Sequence, residues 1–211
     1  MTAVEFYVDP SCPWAWITSR WVEEVAPQRD LQVTWRSYSL HFRDEGGTAP
    51  TVPTDRRDMV IAAHTRSHGM LRVFEATRSQ AGEAAVGELY RQWGQRVFGD
   101  PKAAATNEAL FADCLRAARL DPDLEAAADD PSWDEPIRAS MVVAYDFGGP
   151  KTQTPTIVVR DDPAHGFKGP VMAPAPTGEA ALRMWDAITV LSSEGGFFEI
   201  TRPRANPPTW G

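Results

Sequence analysis

The chain has 211 residues, of which 43% are hydrophobic and 24% are charged, and its formal net charge at pH 7 is −8. This composition predicts a soluble globular protein with a substantial core, and the acidic balance excludes a surface for nucleic acid or anionic membrane. The two cysteines are too few to build a framework of structural disulfides.

The location of the protein is predicted from the amino-terminal residues and from the distribution of apolar residues. Residues 1–8 have neither a basic region nor a long apolar core, so they do not resemble a signal peptide. No apolar stretch approaches the roughly 18 residues that a membrane span needs. Free thiols are typical of a reducing compartment. We therefore expect a cytoplasmic protein.

The first part of the chain predicts a strand, a helix and a second strand in succession. Residues 4–8 are mostly apolar, and Asp9-Pro10-Ser11 interrupts this strand. Pro13 suits the first turn of a helix, and apolar residues recur at helical spacing as far as residue 26. Residues 31–40 alternate and are rich in β-branched and aromatic side chains, which indicates a strand. Two strands joined in this way are expected to be parallel, with a right-handed crossover.

The remainder of the chain predicts a helical insertion and then a hairpin and a helix. A Gly/Pro-rich linker at 44–54 leads into an Ala-rich region, 55–145, with the pattern of four or five helices. Two short strands, 156–159 and 166–171, flank a turn and predict an antiparallel hairpin. A final helix from Thr177 carries an apolar stripe of Leu182, Trp185, Ile188 and Leu191, and an extended tail is expected from residue 197 to residue 210.

Cys12 lies where the first strand ends and the first helix begins. The unpaired N–H groups and the positive dipole end of a helix stabilise a thiolate, which is the nucleophilic form of cysteine. The position that would complete a Cys-X-X-Cys pair holds Ala15. The sequence therefore predicts an activated sulfur without the usual resolving cysteine beside it.

Four segments of the sequence are more specific than its general pattern: residues 9–21, Thr154-Pro155-Thr156-Ile157, Gly169-Pro170-Val171 and Trp185-Asp186-Ala187. With these segments in this order, the chain resembles the DsbA-like family, and within it the cytosolic actinobacterial branch of mycothiol-dependent reductases, the nitroreductases. The resemblance covers nearly the whole sequence. It implies an α/β protein with a thioredoxin-like core (β-α-β … β-β-α) at 1–45 and 150–211. The inserted all-α helical domain is then expected at 55–145.

The resemblance also implies roles for individual residues. Cys12 matches the nucleophile and Pro155 the cis-proline, as catalytic residues, whereas Pro13, Trp14 and Thr154 are expected to bind the thiol cofactor. That cofactor is mycothiol or a similar low-molecular-weight thiol used as co-substrate, without a metal. The implied partners are this small thiol and a small-molecule or disulfide substrate, with neither nucleic acid nor membrane, and a homodimer is left open.

The sequence departs from the family at Ala15, where relatives of this branch commonly carry a second cysteine, and less importantly at Phe98, where close relatives carry histidine. Two interpretations of Ala15 are open. Either the enzyme is naturally monothiol and an external thiol resolves the adduct on Cys12, or the chain is a variant that lacks the resolving cysteine and traps a mixed disulfide.

Two further hypotheses belong to other functional classes. In kappa-type glutathione transferases and chromene-carboxylate isomerases, which share this layout, a bound thiol cofactor does the chemistry and the active-site side chain only orients it. A non-catalytic binding module with the same fold is the third hypothesis. Of the remaining candidates, Cys114 is expected in the core, and His64 and His68 are expected on a solvated helix face.

Overall fold

A computed structural model describes residues 1–150, 152–203 and 207–208. The chain divides into two compact units. One consists of Met1–Tyr7, Cys12–Arg36 and Ala144–Gly211, and the other of Val8–Ser11 and Ser37–Val143. The predicted division into 1–45 with 150–211 and an insertion at 55–145 stays a prediction.

The strands and the two helices nearest to them follow the predicted order. They are β1 (Thr2–Val8), α1 (Pro13–Val25), β2 (Leu31–Ser37), β3 (Thr156–Val159), β4 (His165–Lys168) and, at the carboxyl end, α8 (Gly178–Ser193). The order of strands in the sheet is β2-β1-β3-β4. This arrangement is the expected β-α-β … β-β-α core, and the predicted α/β fold class is thereby confirmed.

Hydrogen bonds define the directions of the strands. The N–H of Thr2 donates to the carbonyl of Asp30, and the N–H of Tyr38 donates to the carbonyl of Val8, both at 2.9 Å. Because the beginnings and the ends of β1 and β2 meet in this way, the two strands run parallel, as predicted. The pairs β1–β3 and β3–β4 are antiparallel, which confirms the predicted hairpin.

Two predicted strand ends in this part of the chain were wrong. The second strand of the hairpin, predicted to reach residue 171, ends at Lys168. The strand β2 ends at Ser37 rather than at residue 40, because the Oγ of Ser39 accepts a hydrogen bond from the N–H of Phe42 and starts a short helix, α2 (Leu40–Arg43). On α8, Trp185 is buried, whereas Leu191, assigned to the same apolar stripe, is 36% exposed. The apolar periodicity of α8 therefore extends beyond the buried part of the helix.

The region predicted to be helical is helical. Its helices are α3 (Arg57–Ala81), α4 (Glu83–Gly99), α5 (Pro101–Thr106), α6 (Leu110–Ala117) and α7 (Asp134–Gly148), with 3₁₀ turns at Pro122–Asp129 and Pro131–Trp133. Fully buried apolar and aromatic side chains include Met70, Leu71, Phe74, Leu89, Tyr90, Leu110 and Leu115. In the part of the chain that the structure describes, no helix combines the length and apolar character needed to cross a membrane.

The tail beyond α8 contains a turn and otherwise irregular chain as far as residue 203. The predicted extended tail runs to Trp210, and its residues 204–206 and 209–210 lie outside the described residues.

Candidate active site

Cys12 is the N-cap residue of α1. Its Sγ accepts a hydrogen bond from the N–H of Ala15 at 3.5 Å, and its carbonyl accepts one from the N–H of Trp16 at 3.1 Å. Pro13 occupies the first position of the helix, where a backbone N–H would have no hydrogen-bond partner within the helix, so the lack of an N–H in proline costs nothing there. The sequence Cys-Pro therefore places the sulfur directly over the amino-terminal N–H groups of α1.

The second group at the sulfur comes from the loop before β3. The carbonyl oxygen of Thr154 lies 3.4 Å from the Sγ of Cys12, within reach of the thiol proton. This loop is attached to the end of β1, because the Oγ1 of Thr154 donates a hydrogen bond to the carbonyl of Tyr7 at 3.0 Å. The peptide bond between Thr154 and Pro155 is cis.

Ala15 presents only a methyl group beside the sulfur. The residue is completely buried, and its N–H is the group that touches the Sγ of Cys12. Residues three apart share one face of a helix, so this is where a second sulfur would stand in a dithiol site. No second thiol is therefore available within the motif.

The predicted site residues differ in what the structure places near the sulfur. Thr154 contacts it directly, and Pro155 is the next residue and is buried. Pro13 and Trp14 form the first turn of α1 and are half-buried. The predicted roles of Pro13, Trp14 and Thr154 in binding a thiol cofactor stay predictions. Cys12 itself is buried, with 6% of the residue exposed.

Cys114, on α6, is a free cysteine that is completely buried. Burial raises the pKa of its thiol to about 12, although Arg96 and Arg66 act in the opposite direction. A thiol in this environment is almost entirely protonated at neutral pH and behaves as a small apolar side chain. The expectation that Cys114 lies in the core is confirmed.

The prediction that His64 and His68 lie on a solvated helix face was wrong, because they are only 8% and 5% exposed. In the Ser37–Val143 unit, the Nδ1 of His68 lies 3.0 Å from the Oγ of Ser39, and its Nε2 lies 3.1 Å from the Oδ1 of Asp134. The side chain of Arg72 donates to both carboxylate oxygens of Asp134. His68, on α3, is therefore hydrogen-bonded both to the N-cap of α2, Ser39, and to the first residue of α7, Asp134.

Burial and the neighbouring charges shift the pKa values of the residues in this group. Burial is the main cause that lowers the pKa of His68, and the positive charge of Arg72 adds to it. Burial also lowers the pKa of His64. For Asp134, burial acts to raise the pKa, but hydrogen bonding and the charge of Arg72 outweigh it and lower the pKa. The available signal in the sequence was the spacing of His64, His68 and Leu71, which share one side of α3.

Metal binding finds no support at these histidines. Within residues 1–150, 152–203 and 207–208, no three or more His, Cys, Asp or Glu side chains are arranged to hold a metal ion.

Comparison with known proteins relates the chain to thiol enzymes. A family model described as Rv2466c-like, mycothiol-dependent nitroreductase Rv2466c, matches residues 11–202. The uncharacterized protein Rv2286c of Mycobacterium tuberculosis is 29% identical over 209 residues, which are 97% of this chain and 84% of that protein.

Two solved structures share the fold. The probable DsbA oxidoreductase SCO1869 from Streptomyces coelicolor aligns with a TM-score of 0.59 and 18% identity, covering 97% of this chain and 95% of that one. A 2-hydroxychromene-2-carboxylate isomerase aligns with a TM-score of 0.54 and 16% identity, covering 89% and 94%. At these identities the two similarities establish the fold only, and the reaction has to be inferred from the residues of the site.

Proposed function

Because the chain belongs to the Rv2466c-like family of thiol-dependent oxidoreductases, we propose that Cys12 is its nucleophile and that a low-molecular-weight thiol, mycothiol by family analogy, is its co-substrate. One observation carries the proposal. The Sγ of Cys12 lies between the N–H of Ala15, at 3.5 Å, and the carbonyl of Thr154, at 3.4 Å, at the amino end of α1.

In the first step the Cys12 thiolate attacks one sulfur of a disulfide substrate. The S–S bond of the substrate breaks, a new S–S bond forms to Cys12, and the leaving thiolate takes up a proton from solvent. The N–H of Ala15 and the dipole of α1 stabilise the negative charge on Cys12 before the attack.

In the second step an external thiol replaces the missing resolving cysteine. Its thiolate attacks the sulfur of Cys12 in the mixed disulfide, which releases the second half of the substrate as a thiolate and leaves the external thiol bonded to Cys12. A second external thiolate then attacks the sulfur of that bound thiol, so that an external disulfide forms and the Cys12 thiolate is released. Over one cycle two molecules of external thiol are oxidised to a disulfide, and two electrons reduce the substrate disulfide to two thiols. The electrons and protons of the cycle balance without a second sulfur in the protein. This is consistent with alanine at position 15, whose methyl group cannot resolve a disulfide.

The partners follow from this chemistry. They are a small thiol and a small-molecule or disulfide substrate, and a homodimer remains part of the proposal. A cytoplasmic location is proposed with them, because a reducing compartment maintains both free thiols of this chain and supplies the external thiol.

The proposal is tested by intact-mass analysis of reduced protein incubated with mycothiol disulfide. We expect one mycothiol adduct on the wild-type protein, none on Cys12→Ser, and one on the matched control Cys114→Ala. We further expect added mycothiol to remove the adduct. An adduct that persists in Cys12→Ser, or the absence of any adduct, would contradict the assignment of Cys12.

Turnover separates this proposal from the transferase and isomerase hypothesis. If Cys12 is the redox nucleophile, Cys12→Ser has no disulfide-reductase turnover with mycothiol. If a bound thiol did the chemistry, a serine could still orient it, and Cys12→Ser would keep substantial thiol-dependent activity. Retained activity would therefore favour the transferase or isomerase class.

A further inference from the structure

The three residues before the nucleophile are held by an unusually complete set of hydrogen bonds. The Oδ1 of Asp9 accepts from both the N–H and the hydroxyl of Ser11, at 2.8 Å and 2.6 Å. The Oδ2 of Asp9 accepts from the N–H of Leu40 at 2.7 Å, at the start of α2. The carbonyl of Pro10 accepts from the Nε1 of Trp93 at 3.0 Å.

Asp9 is completely buried, although it carries an ionisable carboxyl group. A buried carboxylate is expensive unless hydrogen-bond donors surround it, and here three N–H or O–H donors converge on its two oxygens. Its bonds connect the turn that enters Cys12 with the first residue of α2. This carboxylate therefore fixes the position of Ser11, the residue before the nucleophile.

The chain contains the same tripeptide a second time, at Asp130-Pro131-Ser132. There the Oδ1 of Asp130 accepts from the N–H of Ser132 at 2.9 Å, which is the same local turn. Asp130 is exposed, however, and starts a 3₁₀ turn in the Ser37–Val143 unit. The local turn alone thus needs neither burial nor a bond to a second segment. The burial of Asp9 and its bond to Leu40 call for another explanation.

We propose that Asp9 is a positioning residue for Cys12: by holding Ser11 and Leu40 it fixes the turn that places the sulfur at the amino end of α1. The proposal rests on the proposed function, in which the Cys12 thiolate is the reacting species. Ser11 is bonded directly to Cys12, so a turn held at Ser11 fixes the backbone from which the Sγ reaches the N–H of Ala15.

A positioning role and a purely electrostatic role of Asp9 predict opposite changes in the reactivity of Cys12 when the carboxylate is removed. A negative charge near a thiolate disfavours the thiolate, so removing only that charge would make Cys12 more reactive at neutral pH. Removing the hydrogen bonds loosens the turn and weakens the contact between the sulfur and the N–H of Ala15, which makes Cys12 less reactive. The direction of the change therefore distinguishes the two roles.

The experiment measures the rate of Cys12 alkylation by iodoacetamide from pH 5 to pH 10 in the full-length protein. Asp9→Asn is compared with the wild type and with the matched control Asp130→Asn, and Cys12→Ser supplies the blank. The amide of an asparagine has only one oxygen, whereas Ser11 and Leu40 donate to two different oxygens of Asp9. The donors of Ser11 and Leu40 therefore cannot all keep an acceptor in Asp9→Asn. We expect the pH midpoint of alkylation to rise by about one unit in Asp9→Asn, which lowers the rate about tenfold at pH values below both midpoints. The limiting rate at high pH and the profile of Asp130→Asn are expected to match the wild type.

A midpoint that stays in place or moves to lower pH in folded Asp9→Asn would overturn the proposal. If Asp9→Asn fails to fold, Ser11→Ala takes its place, because it removes one bond to Asp9 and keeps the charge. A smaller decrease in the alkylation rate at pH 7 is then expected, and an unchanged rate would overturn the proposal. Alkylation needs no mycothiol, so a shifted profile in a protein without reductase turnover would refute the proposed function and leave the role of Asp9 intact.

Discussion

The carbonyl oxygen of Thr154 lies 3.4 Å from the Sγ of Cys12, although 142 residues separate the two in the chain. Three segments build this contact: the amino end of α1 carries the sulfur, the loop before β3 carries the carbonyl, and the end of β1 holds that loop through the hydroxyl of Thr154. The nucleophile thus faces a backbone acceptor in a loop that a side-chain hydrogen bond of Thr154 ties to β1.

Removing that hydrogen bond should weaken both the fold and the site. We expect Thr154→Val, which keeps the shape of the side chain, to lower the free energy of unfolding by about 1–2 kcal/mol, because the hydrogen bond from its hydroxyl to the carbonyl of Tyr7 is lost. We also expect mixed-disulfide formation to slow by roughly tenfold as the carbonyl of Thr154 moves away from the sulfur. Urea unfolding and adduct formation followed by mass spectrometry measure the two effects.

Thr154→Ser is the control for this prediction, because it loses the methyl group and retains the hydroxyl. Its rate of adduct formation should stay within about threefold of the wild type, as the hydrogen bond to Tyr7 can still form. Equal slowing in the two variants would mean that the methyl group, and not the hydrogen bond, positions the loop.

Introducing a thiol at position 15 tests how the cycle is completed. Ala15→Cys places a second sulfur on the face of α1 that carries Cys12, so the mixed disulfide can be resolved within the motif. We expect the adduct on Cys12 to disappear without external thiol and reductase turnover to rise. Because Ala15 is completely buried, the larger side chain should cost about 1–3 kcal/mol of stability.

The control for this experiment is Ala15→Ser, which adds similar bulk without a reactive sulfur and should keep the adduct. If Ala15→Cys forms and releases adducts no faster than the wild type, the idea that the chain is a dithiol enzyme lacking its resolving cysteine fails, and the monothiol cycle is the better description.

Local patterns were sufficient to predict the strands, α1, the helical character of the middle of the chain and the fold class. Strand alternation and helical periodicity are local properties, and Pro13 marked the start of α1 correctly. The end of β2 was missed because Ser39 acts as a helix cap, a role that depends on where its hydroxyl points. The resemblance pointed to Thr154, whereas its distance from Cys12 required the fold.

The polar group around His68 could not be predicted, because it is made by tertiary contacts. Ser39, His68 and Asp134 come from parts of the chain that no local pattern relates. The same holds for Asp9, whose partner Leu40 is 31 residues away. Buried polar residues interrupt the apolar periodicity on which the interpretation of a helix face depends, so they are read from a sequence as solvent-facing.

The two cysteines should differ sharply in reactivity. With a pKa of about 12, Cys114 is a thiolate in only about 0.01% of molecules at pH 8, and its sulfur is completely buried. We expect iodoacetamide at pH 8 to label one cysteine in the folded protein and two in 8 M urea, as counted by intact mass. Cys12→Ser should therefore take up no label when folded. Fast labelling of Cys114 in the folded protein would contradict its assignment to the core.

The stability of the protein should fall as the pH decreases from 7.5 to 5.5. The pKa of His68 is lowered in the folded state, chiefly by burial, and that of His64 is lowered for the same reason. Above the unfolded value of about 6.5, both states are neutral and the contribution to stability is complete. As the pH falls through 6.5, the unfolded chain binds protons first, so the folded state loses stability until the folded histidines titrate.

His68→Gln tests the origin of this dependence. We expect the variant to be less stable at pH 7.5 by about 1–3 kcal/mol, because Ser39 and Asp134 lose a buried partner. Its unfolding free energy, measured in urea at pH 7.5, 6.5 and 5.5, should nevertheless change less with pH than that of the wild type. The dependence that remains should decrease further in the double variant His64→Gln, His68→Gln, since both imidazoles favour the unfolded state on protonation. Identical pH slopes in all three proteins would place the acid sensitivity elsewhere in the chain.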